Sequence, residues 1–185
     1  MTISKQSTWV MGGVASLALA LGGMACGEKG AAGGGGGDDD FSAATLAPVD
    51  VDVEGQKISV SVPTGFTLDT SGFIRFQSPL KDNFSLPSFT FNLESIPPKT
   101  LDKVKLTSGT KDKPMVETKR VEVAGGFLVA GHNSTKGTAE LTFIKPLPGG
   151  KAVSCRGVQA RSKGVPNLEA TLAMFEKACT SMQLK

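Results

Sequence analysis

The sequence predicts an α+β fold: a mostly antiparallel sheet of about six or seven strands with a C-terminal helix packed on one face. Three observations predict it. Alternating apolar and polar runs recur from Gln56 to Cys155, separated by proline and glycine turns that read mostly as hairpin connections. One helical stripe follows them near the end of the chain. Glycine, 23 residues in all, is concentrated early: four precede Cys26, seven fall between Gly27 and Gly37, and twelve follow Phe41. The later part therefore has an ordinary globular composition, of a size to bury a real core.

The elements follow in order. Gln56 to Val62 places Ile58, Val60 and Val62 on one face and Lys57, Ser59 and Ser61 on the other, and Pro63-Thr64-Gly65 ends it. Phe73 to Gln77 and Phe89 to Leu93 come next, with a polar loop between Ser78-Pro79 and Leu86-Pro87. Pro97-Pro98 stops the second of these, and Lys99 to Leu106 is predicted as a short helix. Glu117 to Val123 alternates again, and Gly125-Gly126 turns it into Phe127 to Ala130. A turn around Gly131 to Gly137, holding His132, leads to Ala139 to Ile144. Pro146 to Gly150 is the turn before a strand beginning at Lys151 and containing Cys155. Leu168, Leu172, Phe175, Cys179 and Met182 form one stripe of a helix from Pro166 to about Met182, with proline and Glu169 placed as helix starts allow. No repeat of 20–50 residues is present.

The N-terminus reads as an export signal, residues 1–25. Lys5 supplies the positive region, no charge occurs from Gln6 to Gly27, and Val10 to Ala25 is dominated by Val, Leu, Ala, Met and Gly. The stretch ends in Gly23-Met24-Ala25-Cys26, which resembles the lipobox of bacterial lipoproteins. That resemblance implies a diacylglycerol on the Cys26 thiol and cleavage before it. The family favours Leu three residues before the cysteine, where this chain has Gly23. Cleavage by an ordinary signal peptidase after Ala25 and an uncleaved anchor remain as alternatives. The lipoprotein pattern also implies a bacterial envelope location. Gly27 stands where Asp holds such proteins in the inner membrane, so the outer membrane is expected.

Residues 26–46 are predicted to be a tether. Gly33 to Gly37 and Asp38 to Asp40 offer too little apolar surface to offset their ordering entropy. Twenty such residues span about 25 Å on average. The Asp triplet lacks the spaced ligands of a calcium loop and reads as solvated linker. Residues 47–185 form the single α+β domain. Three cysteines is an odd number for an exported chain. Lipidation of Cys26 leaves Cys155 and Cys179, both on apolar faces, to form a disulfide between the last strand and the last helix. The alternative is two buried free thiols. Cys-x-x-Cys spacing is missing, which argues against a redox pair.

Two segments carry a second resemblance. Ile58-Ser59-Val60-Ser61-Val62-Pro63-x-Gly65-Phe66, and Phe175 to Met182 at the close, make residues 55 to 185 similar to the Mog1/PsbP-like families. There a strand ending in Pro-x-Gly-aromatic opens the sheet and a final helix packs back on it. The resemblance implies a binding or assembly module rather than an enzyme.

Catalytic raw material is sparse. Tyr is absent, Trp9 lies in the leader, and His132 is the only histidine. His132 with Ser134 lacks a nucleophile elbow, and phosphate-binding glycine motifs are missing. One histidine and a bonded cysteine pair argue against zinc. No cofactor is expected. Asp50, Asp52 and Glu54 are carboxylates without Trp or Tyr to stack a sugar. From Phe41 on, 18 Lys and Arg face 13 Asp and Glu, a net +5. Lys99 to Arg120 is rich in base, and Lys151, Arg156, Arg161 and Lys163 lie in a stretch without acid. This stretch is a candidate patch for anionic lipid or an acidic partner. Nucleic acid is not expected, since aromatic interleaving is missing. Three functions follow in order of preference. The first is a lipid-anchored module binding another envelope protein. The second is a small-ligand or lipid carrier with a cavity between sheet and helix, drawing on Phe73, Phe76, Phe84, Phe89 and Phe91. The least favoured is an envelope hydrolase.

Overall fold

Alternation decides the strands, and two shared hydrophobic faces decide how they stack. The computed structural model describes residues 44–78, 87–109, 114–160 and 167–185. Among the described residues, ten strands and one α-helix follow each other. They are β1 (Leu46–Val53), β2 (Gln56–Pro63), β3 (Thr67–Asp69), β4 (Ile74–Gln77), β5 (Ser88–Glu94), β6 (Val116–Val123), β7 (Gly126–Asn133), β8 (Thr138–Pro146), β9 (Ala152–Gln159), α1 (Leu168–Thr180) and β10 (Gln183–Leu184). Seven of the strands make one sheet in the order β3-β4-β5-β9-β8-β7-β6, and β1-β2-β10 make a second. Every pairing is antiparallel. The α+β class holds, with an antiparallel sheet and the helix packed on one face of it.

The helix lies over β7, β8 and β9 and also touches β2, while β1 reaches β4 and β5. Helix and small sheet together thus cover one face of the large sheet. Val51, Val53, Ile58, Val60, Phe89, Phe91, Leu141, Phe143, Phe175 and Met182 are buried in that shared core. The ring of Phe175 meets Phe89 edge-on with centroids 5.2 Å apart. It sits directly on the backbone of β9, because a Cβ at Gly157 would come within 2.5 Å of its Cγ. Cys155 and Cys179 are joined by a disulfide with Cα atoms 5.5 Å apart, pinning β9 to α1 as the two apolar faces predicted.

Several expectations need correction. Residues 46–53 form a strand that is not among those expected from the sequence. Val51 and Val53 point inward, and Pro48 is tolerated because β1 is an edge strand with no inner neighbour to donate to. The helix stops at Thr180, and Met182 enters the core from the turn beyond it rather than from the helical stripe. Asn167 caps its start, its side chain accepting from the Ala170 amide at 3.0 Å; Pro166 lies outside the described residues. The short helix at Lys99 to Leu106 is reduced to a 3-10 turn, Leu101–Lys103, after which the chain is extended. His132 is not in a turn but inside β7, opposite Val116 and Ala139; the turn begins at Ser134.

Candidate functional site

The other face of the large sheet is covered differently. It carries polar and charged residues between apolar ones, and residues 101–109 cross it as a single strap. Val104 of the strap buries against Val129, Ile144 and Ala152, with Leu101, Leu106 and Phe127 around them. Two charged clasps hold the strap down. Near its start, Arg120 on β6 donates to the carbonyls of Leu101 and Val104. Its orientation is fixed by Glu117, which accepts from its Nε at 2.8 Å and its Nη2 at 2.6 Å. The pair shifts both groups: Arg120 holds Glu117 below the usual carboxylate range, and Glu117 pushes Arg120 up.

At the far end the clasp is buried. Glu140 on β8 is fully excluded from solvent. Its two oxygens accept from the Thr107 amide at 3.0 and 3.1 Å and from the Thr107 hydroxyl at 3.2 Å. They also accept from the Ser108 amide at 2.6 Å and from Arg156 Nε at 2.9 Å. Arg156 in turn donates from Nη2 to the Ser108 hydroxyl at 3.2 Å. Burial alone would raise the Glu140 pKa. The donors from Thr107, Ser108 and Arg156 outweigh it and hold the carboxyl below its ordinary value. A carboxylate so completely hydrogen-bonded is a structural clasp, with no lone pair free to take a proton from a substrate.

Beside the Arg120–Glu117 clasp opens a cleft of about 330 Å³, lined by Lys105, Leu106, Gly109, Pro114, Met115, Glu117 and Arg120. Gly131 makes room for its wall, since a Cβ there would lie 2.7 Å from Leu106 Cδ1. Among the described residues, no three His, Cys, Asp or Glu side chains are grouped to hold a metal ion. Also among them, no helix is long and apolar enough to cross a membrane.

The residues singled out from sequence are placed as follows. Cys26, Arg161, Lys163 and Phe84 lie outside the described residues. Lys151 is exposed on the β8–β9 turn, whereas Arg156 stands five residues along β9 with its guanidinium turned to Glu140. At about 3.3 Å per residue that separates the two by about 16 Å. His132 and Ser134 sit at the end of β7 and in the following turn; His132 Nδ1 is buried without a hydrogen-bond partner. Asp50 pairs with Lys185 at 2.6 Å, which lowers its pKa, while Asp52 caps the β1–β2 turn by accepting from the Gly55 amide. Phe76, Phe89 and Phe91 are core residues under the helix layer, and Phe73 is exposed. Sequence reasoning did not find Glu140, Arg120, Thr107 or Ser108. The available signal was a lone acid in the apolar run Ala139 to Ile144. Comparison with protein-family models and with curated proteins gives no match.

Proposed function

We propose that the chain is a lipid-anchored protein of the bacterial envelope, with a folded part that acts as a binding or assembly module. The observation that carries this reading is the cysteine inventory. Cys155 and Cys179 pair with each other, which leaves Cys26 unpaired at the end of an export-type apolar stretch. The glycine-rich segment after it suits a tether between lipid and domain. The binding role is supported by the way the side chains are spent: the buried carboxylate is consumed in a clasp, and the strap leaves an open cleft beside Arg120. The resemblance to the Mog1/PsbP-like families points the same way. Gly27 favours the outer membrane.

The anchor is tested by growing cells with an alkyne-tagged palmitate and weighing the mature protein. The expected result is a labelled chain that begins at Cys26 with added diacylglycerol mass, and loss of both in Cys26→Ser. An unlabelled mature chain, or a Cys26→Ser protein still membrane-bound after a high-salt wash, would sink the anchor. The module reading is tested by crosslinking intact envelopes and recovering the protein: a discrete crosslinked partner is expected, and recovery of the chain alone counts against it.

A further inference from the structure

One end of the seven-stranded sheet is built unlike the rest of the surface. Register places four connections there. Ile74 pairs with Phe91, Glu94 with Ala152, and Ala152 with Pro146, while β7 begins opposite this end of β8. The β3–β4 tip (70–73), the segment after β5 (95–99), the β6–β7 turn (124–125) and the β8–β9 turn (147–151) therefore share one end. These segments contain two exposed lysines, Lys99 and Lys151, and no carboxylate. They also carry the two most exposed large apolar side chains among the described residues, Phe73 at 69% and Ile96 at 92%. Four acids flank these segments in the chain, Asp69, Glu122 and Asp102 exposed and Glu94 half-buried. Asp69 accepts from the Ser71 amide, Glu94 accepts from Ser154 Oγ, Glu122 stands on β6, and Asp102 pairs with Lys103.

We propose that this end of the sheet docks on an anionic lipid bilayer, with Phe73 and Ile96 entering the acyl boundary and Lys99 and Lys151 meeting headgroup phosphates. A single exposed apolar residue is ordinary on any protein surface. What sets these two apart is their coincidence with Lys99 and Lys151 on connecting segments that hold no carboxylate themselves, the combination that interfacial membrane binding uses. The choice of lipid over a protein partner rests on how they are carried. They stand on separate connections, beside Gly72 in one and Pro97-Pro98 in the other. A fluid apolar phase accepts side chains one at a time, whereas a protein would need a matching pocket for each. The inference does not depend on Cys26.

The test uses the full chain with Trp9→Phe, so that a single introduced tryptophan reports. Phe73→Trp and Ile96→Trp probe the proposed end. Val116→Trp is the control, because Val116 is 61% exposed on β6 at the opposite end, where it pairs with His132. Each is mixed with phosphatidylcholine–phosphatidylglycerol vesicles, with and without brominated acyl chains. Blue-shifted emission and bromine quenching are expected at positions 73 and 96 but not at 116. The double variant Phe73→Ser, Ile96→Ser should partition to vesicles on the order of tenfold less, and Lys99→Glu with Lys151→Glu should weaken binding at low salt. Tryptophans at 73 and 96 that stay as unquenched as that at 116 on vesicles carrying the protein would overturn the inference while leaving the lipid anchor standing. Quenching at 73 and 96 in the Cys26→Ser chain would uphold it without the anchor. A crosslink from position 73 to a protein, with no quenching, would assign this end to a protein partner instead.

Discussion

Glu140 shows how one side chain can be visible in a sequence while its role is not. It sits in an alternating strand where Glu140 and Thr142 take the face opposite Leu141 and Phe143, which reads as the solvent side. The groups that bury it, Thr107 and Ser108, come from 33 and 32 residues earlier, and nothing local predicts that they return over β8. Their arrival removes the carboxylate from water and replaces every lost hydration bond with a donor. The linkage sign follows from the lowered pKa. Ionised Glu140 stabilises the fold at pH values above its ordinary pKa of 4.5, and this contribution is lost as pH falls through the lower folded-state value. Glu140→Gln keeps the shape but presents an NH2 to donors and removes the charge facing Arg156. It should cost about 2–3 kcal/mol at neutral pH. Urea unfolding of both proteins at about pH 7 and about pH 3 checks this, since the gap should shrink markedly in acid. An equal gap at both pH values would mean that the ionised clasp is not what holds the strap.

At the scale of elements, what was legible is what depends on period and punctuation. The central strands, the hairpin turns, the last helix and the two cysteine faces all follow from spacing within one segment. The strap did not, because Lys99 to Leu106 has residues that suit a helix and becomes extended only by packing Val104 onto the sheet and giving two carbonyls to Arg120. Two turns carry residual strain. Glu54 and Ala124 both have φ of 52°, each followed by a glycine also at positive φ, as two-residue hairpin turns demand. The first position is poorly suited to an alanine. Ala124→Asn, which tolerates this conformation, should raise stability by about 0.5–1 kcal/mol, read as a higher urea midpoint at unchanged slope. The bond between β9 and α1 acts in the opposite sense. Replacing Cys155 and Cys179 together with alanine opens a loop of 24 residues and should cost about 3 kcal/mol, with the reduced native protein losing a similar amount. If dithiothreitol leaves the unfolding curve unmoved while the thiols become titratable, the helix is held by its apolar face alone.

At the scale of the whole molecule, composition rather than any motif sets the segment before the described fold apart, and it is the segment proposed above as a tether. Residues 27–43 combine seven glycines with three consecutive aspartates. Among the described residues, the first backbone hydrogen bond is the one that Thr45 accepts from the amide of Thr64, just before Leu46 begins β1. Among the described residues that follow, the helix and both sheets share one core. β10 pairs with β2, and the amide of Lys185 donates to Lys57. From its glycine and aspartate content, the segment before Thr45 is expected to offer a protease its first site. Brief digestion of the purified chain with a low-specificity protease is expected to cut within 27–43. The released domain should keep the Cys155–Cys179 bond and unfold in one transition at the midpoint of the uncut chain. Intact-mass spectrometry locates the cut, and thermal unfolding of the product reads the rest. A first cut beyond Thr45, or a product with a lower midpoint, would show that the glycine-rich segment contributes to the fold instead of merely carrying it.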